Sequence, residues 1–195
     1  MTSLYGQIEL FFSEGLETFV DELHHCQPTD FISVPRLWAK FQAKVFAQIP
    51  DEQLQEMLAG DGGDAVAAAI REKLGFASCK NYGSGSAPIS PALLAWFHRL
   101  GVDIAEGWGM TETSGLACSN QPFTVESMGT IGVPLACNEM KISAEGELLI
   151  RGAAIFEEYY KNPAATKEAL IDDWFRTGDK GVQDENGAFS INGRV

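Results

Sequence analysis

Residues 90–113 read SPALLAWFHRLGVDIAEGWGMTET and contain the strongest secondary-structure signals of the chain. Ser90 is a favourable N-cap for a helix that has Pro91 at its first position, and Gly101 is a typical residue to end it. The apolar residues between them recur at helical spacing. Residues 102–105 then predict a short strand, and the glycines that follow predict a turn. A helix that leads into a strand in this way favours an α/β sheet layer.

The part of the chain before this stretch predicts more elements of the same kind. We expect an amphipathic helix over about residues 14–25, followed by a short buried strand at 31–34. Pro35 ends the strand and a second helix follows it. Another helix is expected over 65–74, after a glycine-rich segment at 60–64 that predicts a flexible loop.

The pattern changes after about residue 121. Residues 140–151 predict a β-hairpin with a short glycine-containing loop, and residues 184–187 predict a turn into another strand. The expected fold is therefore α/β, with an incomplete α/β sheet layer over residues 1–120. An incomplete small β-barrel is expected over residues 121–195.

The composition excludes several classes of protein. The 195 residues include 27 acidic and 14 basic side chains, a net charge of −13. A field of that sign repels nucleic acids and anionic membranes, so we expect no nucleic-acid partner. No apolar run approaches the ~20 residues of a transmembrane helix. The first residues lack a signal-peptide pattern, and the four cysteines are widely spaced without a C-x-x-C pair, which favours reduced thiols in a cytoplasmic protein.

Residues 81–88, NYGSGSAP, form the first candidate binding segment. They lack the lysine of a Walker loop and the last glycine of the dinucleotide-binding pattern. A tight turn between a strand and a helix is the simpler interpretation of these residues alone. The alternative is that the small residues and Pro88 allow a planar base to lie against the backbone.

Residues 106–113, EGWGMTET, form a second and more specific candidate. The glycines on both sides of Trp108 permit close approach of the backbone to a ligand. Trp108 offers a flat face for stacking, Thr111 a hydroxyl for a phosphate oxygen, and Glu112 a hard oxygen ligand for Mg²⁺. The alternative is a buried tryptophan beside a surface Thr–Glu pair.

Asp179 ends a third segment, WFRTGD at residues 174–179, which predicts a tight turn. Its carboxylate can accept hydrogen bonds from both hydroxyls of a ribose, at ~1.5–3 kcal/mol for each charge-assisted bond. An exposed turn aspartate is the alternative. Other chemistries fit poorly, because no serine lies in a G-x-S-x-G elbow and the three histidines lack metal or triad partners in sequence.

These three ordered motifs resemble the nucleotide site of the adenylate-forming (AMP-binding) superfamily. Residues 14–18 and 33–38 are similar to long-chain fatty-acid–CoA ligases in particular. The resemblance implies that the chain is part of the large N-terminal domain of such an enzyme. It also implies a set of nucleotide-binding residues: Gly85, Ser86, Ala87, Pro88, Glu106, Gly107, Trp108, Gly109, Met110, Thr111, Asp179 and Arg194.

The resemblance assigns individual roles within this set. Thr111 and Glu112 would be catalytic, with Glu112 also the metal ligand. Asp179 would bind the ribose, and Arg194 would approach it from the boundary between domains. The aromatic position is usually tyrosine in this family, so Trp108 should keep the stacking and lose any hydrogen bond from a phenol.

The implied reaction joins a fatty acid or another carboxylate to ATP, releases pyrophosphate, and transfers the acyl group to coenzyme A, with Mg²⁺ at the phosphates. The family's lysine-containing phosphate loop and its C-terminal domain with the catalytic lysine have no counterpart in this sequence. We therefore expect a central fragment of a ligase that is inactive alone, with possible loose membrane association. A short non-catalytic nucleotide-binding or subunit-partner protein is one alternative, and an adenylating enzyme of another carboxylate class is a second.

Overall fold

A computed structural model describes residues 8–15 and 17–195 of the chain. The helices in these residues are α1 (Phe19–Cys26), α2 (Pro35–Phe46), α3 (Asp51–Ala59), α4 (Gly63–Lys73), α5 (Pro91–His98) and α6 (Pro163–Ala169). The strands are β1 (Asp30–Ser33), β2 (Asn81–Ser84), β3 (Ile104–Met110), β4 (Gly115–Ser119), β5 (Val133–Pro134), β6 (Asn138–Ile142), β7 (Glu147–Gly152), β8 (Leu170–Ile171), β9 (Trp174–Gln183) and β10 (Phe189–Arg194).

The first sheet combines parallel and antiparallel pairing in the order β1-β2-β3-β4-β5. Strands β1, β2 and β3 are parallel, while β4 and β5 are antiparallel to their neighbours. The parallel part places Ser84 at the end of β2 beside Glu106 in β3. Loops that follow parallel strands meet at one edge of a sheet, which is where α/β proteins bind ligands.

Helices cover one face of this sheet and enclose an aromatic core. Trp38 of α2 and Phe97 of α5 are fully buried, with ring centroids 5.0 Å apart. The Trp38 indole also donates a hydrogen bond to the Gly83 carbonyl of β2 at 3.2 Å. Burial of side chains of this size supplies much of the stability of a small domain, at about 25 cal/mol per Å² of apolar surface.

The second sheet is antiparallel and forms a curled half-barrel, with strand order β10-β9-β7-β6 and β8 paired to β9. Strands β6 and β7 form the hairpin that the sequence predicted, and Ile142 pairs with Leu148. Ile150 and Phe175 fill its core together with Ala117 of the first sheet. The predicted fold, an α/β layer followed by part of a small barrel, is confirmed, while the division of the chain at residue 120 stays a prediction.

Several predicted elements agree with the structure. The apolar face of α2 is buried at Trp38, Phe41 and Val45. Gly101, with a φ of +70°, lies in the turn that closes the C-terminal end of α5, as expected. The first predicted helix corresponds to α1, which begins later than expected, and Leu16 of that prediction lies outside the described residues. Within the described parts of the chain, no helix has the length and apolarity needed to cross a membrane.

Three local predictions were wrong. The strand at 31–34 is not buried on both faces, because β1 lies at the sheet edge and leaves Ile32 80% exposed. Val34 follows the strand and occupies the N-cap position of α2. The loop expected at 60–64 is shorter, because α4 already begins at Gly63. Sequence reasoning also missed α3, which buries only Leu54 and therefore has a weak apolar stripe.

Candidate nucleotide site

A cleft of about 620 Å³ lies between the two sheets, at the ends of β2 and β3. Both sheets line it, together with the segment that contains Gly129 and Ile131. Most of the residues that the sequence singled out lie on its walls: Ser86, Ala87, Pro88, Glu106, Gly107, Trp108, Gly109, Met110, Asp179 and Arg194. Three motifs that are far apart in the chain therefore meet at one place.

The loop after β2 forms one wall of the cleft. Ser86, Ala87 and Pro88 are exposed there, and Ser86 has a left-handed φ of +68°. Gly85 is not among the lining residues and lies behind the wall, where a Cβ would come within 3.3 Å of the Gly107 carbonyl oxygen. The loop leads into α5, whose N-cap is Ser90 as predicted, although the Ser90 side chain makes no capping hydrogen bond.

Strand β3 forms a second wall, and here the sequence prediction of a glycine turn was wrong. The strand runs from Ile104 to Met110, because it pairs with β4 as far as Met110 and Gly115. At Gly109 a Cβ would lie 1.8 Å from the Gly115 carbonyl oxygen, so only glycine fits. The turn begins afterwards, at the 3₁₀ segment Thr111–Thr113.

Asp179 lies inside strand β9, so the predicted tight turn was also wrong, and at 8% exposed it is not the exposed turn aspartate of the alternative. Gly178 has a φ of +72° and forms an irregularity within the strand, where the Glu147 carboxylate accepts its N–H at 3.0 Å. The Trp108 indole N–H donates to Oδ2 of Asp179 at 2.9 Å, and Arg194 donates to Oδ1 at 2.5 Å. Among the described residues, each carboxylate oxygen therefore has one side-chain donor, and both donors line the cleft with Asp179.

Glu106 is a buried carboxyl group on the cleft wall, only 7% exposed. Its Oε2 accepts a hydrogen bond from the Gly129 N–H at 2.8 Å. Burial raises the pKa of Glu106 to about 7, and the Gly129 hydrogen bond opposes part of this effect. Nothing in the local sequence indicated this, since Gly129 lies 23 residues further along the chain.

Asn120 is a positioning residue that sequence reasoning missed. Its side-chain oxygen accepts the Glu106 backbone N–H at 2.7 Å, and its amide donates to the carbonyls of Ser127 and Thr130. The side chain is 5% exposed, so these bonds satisfy a buried polar group. Asn120 thereby fixes the segment that carries Gly129 against β3.

Thr111 and Glu112 are not among the lining residues of the cleft and lie on the turn immediately after β3. Glu112 is half-buried, and its Oε1 accepts a hydrogen bond from the Tyr159 hydroxyl at 2.9 Å. In residues 8–15 and 17–195, no three His, Cys, Asp or Glu side chains form a metal-binding cluster. A single carboxylate still suits Mg²⁺, which commonly takes one or two carboxylates together with substrate phosphates.

The family of the chain follows from comparison with known proteins. A model of the AMP-binding enzyme family matches residues 4–160. The chain belongs to this family. Its fold and the residues gathered in the cleft agree with that assignment.

Within this family, the chain is similar to a fatty-acid–CoA ligase. The chain is 31% identical, over an alignment of 220 positions, to the long-chain-fatty-acid–CoA ligase FadD15 of Mycobacterium bovis. The alignment covers 100% of this chain and 36% of the ligase. The chain thus spans about a third of the length of this relative.

Two solved structures share the fold. One is o-succinylbenzoate coenzyme A synthetase (MenE) from Bacillus subtilis in complex with AMP, with a TM-score of 0.69 at 21% identity over 99% of this chain and 37% of that one. The other is the inhibitor-bound N-terminal domain of FACL13 from Mycobacterium tuberculosis, with a TM-score of 0.67 at 19% identity over 94% of this chain and 42% of that one.

Proposed function

We propose that this chain is the nucleotide-binding part of an ATP-dependent fatty acyl-CoA synthetase. The observation that carries the proposal is the cleft, in which the 86–88 loop, Trp108 and Asp179 meet although they come from three distant motifs. The similarity to a long-chain-fatty-acid–CoA ligase supports the substrate class. The chain alone would bind nucleotide, and catalysis would belong to the longer protein.

The chemistry of the walls suits an adenosine group. Trp108 can stack on a planar base against the 86–88 loop, at a gain of ~1–3 kcal/mol for such stacking. Each oxygen of Asp179 has two acceptor sites and uses one, for Trp108 or Arg194. Both oxygens can therefore still accept a ribose hydroxyl without releasing either donor. Arg194 at the cleft mouth would lie beside the sugar, with a side chain that is 69% exposed.

The phosphates would extend from this site towards the turn after β3. Thr111 could donate its hydroxyl to the α-phosphate, and Glu112 could hold the Mg²⁺ that offsets phosphate charge. In the complete reaction the carboxylate of the fatty acid attacks the α-phosphorus of ATP, and pyrophosphate leaves. The thiol of coenzyme A then loses its proton, attacks the carbonyl carbon of the acyl-adenylate and displaces AMP. We place this activity in the cytoplasm, with loose association of the protein with membranes as a source of fatty acid.

Nucleotide binding by this chain tests the first part of the proposal. Titration calorimetry with AMP and with Mg²⁺–ATP should give measurable binding, and Asp179→Asn should weaken both by roughly 100-fold, because the charge-assisted bonds to the ribose are lost. Asp61→Asn is the matched control, since Asp61 is an exposed aspartate on the turn between α3 and α4. Equal affinities for the two variants would refute the ribose role.

A test of the substrate class requires the protein as it occurs in cells. An antibody against this chain would isolate it, and exchange of labelled pyrophosphate into ATP would be measured with palmitate and with short or aromatic carboxylates. Exchange that depends on palmitate supports the fatty acyl-CoA synthetase. Exchange only with other acids would identify an adenylating enzyme of another class, and nucleotide binding without any exchange would favour the non-catalytic alternative.

A further inference from the structure

A segment after β7 holds the turn that follows β3. The Phe156 N–H donates to the Glu112 carbonyl at 2.8 Å, and the Ser114 hydroxyl donates to the Ala154 carbonyl at 2.8 Å. We call residues 154–159 the clasp. Its two bonds to the turn fix the position from which the Glu112 side chain projects.

The clasp also holds the side chain of Glu112. The Tyr159 hydroxyl donates to Oε1 of Glu112 at 2.9 Å. Among the described residues, no donor forms a hydrogen bond to the other oxygen, Oε2.

Tyr159 is itself anchored on two sides. Its ring packs on Phe156, with ring centroids 4.6 Å apart, and Phe156 packs on the buried Phe175 of β9 at 5.4 Å. Its backbone N–H donates to the Thr166 hydroxyl of α6 at 3.0 Å. The phenol therefore reaches Glu112 from a fixed point on the second sheet.

We propose that Tyr159 is a positioning residue for a metal-binding carboxylate: it holds Oε1 of Glu112 so that Oε2 is presented to the Mg²⁺ of a metal–nucleotide complex. The proposal rests on the proposed function, in which Glu112 binds that metal. Mg²⁺ requires nearly ideal octahedral geometry, and a lone carboxylate has no second protein ligand to correct its orientation. Partners that orient a metal ligand commonly change metal affinity by about 10–100-fold.

The test removes one hydroxyl. Tyr159→Phe keeps the ring that packs on Phe156, and Tyr160→Phe is the matched control because the neighbouring ring is 82% exposed. Calorimetry would measure ATP affinity of this chain across a Mg²⁺ titration, and AMP affinity without metal. We expect Tyr159→Phe to need about 10-fold more Mg²⁺ for half-maximal ATP binding, with unchanged AMP affinity and a slightly lower melting temperature, because one hydrogen bond to a carboxylate is lost. Tyr160→Phe should match the wild type.

A double variant shows whether Tyr159→Phe acts through the position of the Glu112 carboxylate or through a general change in structure. In the Glu112→Gln background, Tyr159→Phe should add no further change in the Mg²⁺ requirement. A wild-type Mg²⁺ requirement in Tyr159→Phe would overturn the positioning role, and so would an equal loss of AMP and ATP affinity. If the wild-type chain bound no nucleotide, the proposed function would fail and this role with it. If it bound AMP normally and only the Tyr159 result were negative, the proposed function would stand.

Discussion

The indole N–H of Trp108 and the carboxylate of Asp179 form a hydrogen bond of 2.9 Å across 71 positions of sequence. Trp108 comes from the first sheet and Asp179 from the second, so this bond joins the two sheets at the cleft. The family resemblance led us to expect that tryptophan would keep the stacking surface and lose the hydrogen bond of a phenol. The indole supplies a donor of its own, and that donor contacts the residue expected to bind ribose.

Replacement of Trp108 by phenylalanine tests how much this hydrogen bond contributes to the free energy of unfolding. Trp108→Phe keeps a flat aromatic face and removes the N–H, so Asp179 loses one of its two side-chain donors. We expect the free energy of unfolding to fall by about 1–2 kcal/mol, because the bond is charge-assisted but partly exposed. Urea unfolding measures the change.

The control for Trp108→Phe is the same substitution in the Asp179→Ala background. There the carboxylate is absent, and the substitution should cost less by about 1 kcal/mol or more. Equal costs in both backgrounds would mean that the indole N–H contributes nothing through Asp179, and that the effect of Trp108 is packing alone.

The sequence predicted those elements whose signals are local. Trp38, Phe41 and Val45 recur at helical spacing and lie on the buried face of α2. The hairpin of β6 and β7 follows from its two short strands and the glycine in its loop. In each of these cases the partners are close in the chain, so the periodicity of the side chains or the loop length contains enough information.

Two of the wrong predictions concern glycines that are required by a contact with a distant part of the chain. Gly109 was expected in a turn, but it is glycine because β4 approaches it closely enough to exclude a Cβ. Gly178 was expected in a tight turn, but it forms an irregularity within β9 where the Glu147 carboxylate accepts its N–H. A turn and a strand irregularity both favour glycine, and only the pairing partner distinguishes them.

The sequence predicted many residues of the candidate site, but it did not predict the hydrogen bonds that connect them. The motifs identify many of the residues that line the cleft, since each motif is continuous in sequence, but not Gly129 and Ile131. The bonds of Glu106 to Gly129 and of Glu112 to Tyr159 join residues 23 and 47 positions apart. Such pairs depend on how the two sheets and their connections pack, and no local pattern encodes them.

The free energy of unfolding should depend on pH because the Glu106 carboxyl group titrates at different pH values in the folded and unfolded protein. Its pKa is about 7 in the folded protein, above the ordinary value of 4.5, so folding is favoured when the carboxyl is protonated. Below pH 4.5 both states hold the proton and Glu106 has no effect on the pH dependence. Between about pH 4.5 and 7 the folded state holds a proton that the unfolded state has lost, so the contribution to stability falls as pH rises. At about 1.4 kcal/mol per pKa unit, the full fall amounts to about 3.5 kcal/mol, of which about 2–3 kcal/mol occurs between about pH 4.5 and 7.

Glu106→Gln removes this titration and keeps an oxygen that can accept the Gly129 N–H. We expect the difference in unfolding free energy between variant and wild type to change by about 2–3 kcal/mol in favour of the variant between about pH 4.5 and 8. Urea unfolding at several pH values measures it. Parallel curves for the two proteins across this range would show that the carboxyl titrates normally.

Gly107 and Gly109 of β3 differ in the atoms that an added Cβ would meet. A Cβ on Gly109 would lie 1.8 Å from the backbone carbonyl oxygen of Gly115, whereas a Cβ on Gly107 would lie 2.5 Å from Cδ1 of Leu116. Leu116 is 54% exposed, so its side chain can rotate away, but the Gly115 carbonyl can move only if β3 and β4 separate. Gly109→Ala should therefore lower the free energy of unfolding by about 3 kcal/mol or more, and Gly107→Ala by about 1 kcal/mol.

Urea unfolding of the two variants decides this prediction, with Gly15→Ala as a control. A Cβ at Gly15 would meet no atom of the described residues within 4 Å beyond its chain neighbours, so the control should stay within about 0.5 kcal/mol of the wild type. Gly109→Ala should also weaken AMP binding, since loss of β3–β4 pairing displaces Trp108 from the cleft wall. If both strand glycines tolerated alanine equally, the close approach of β4 would not be what requires glycine at position 109, and the role of glycine there would have to be sought in the ligand.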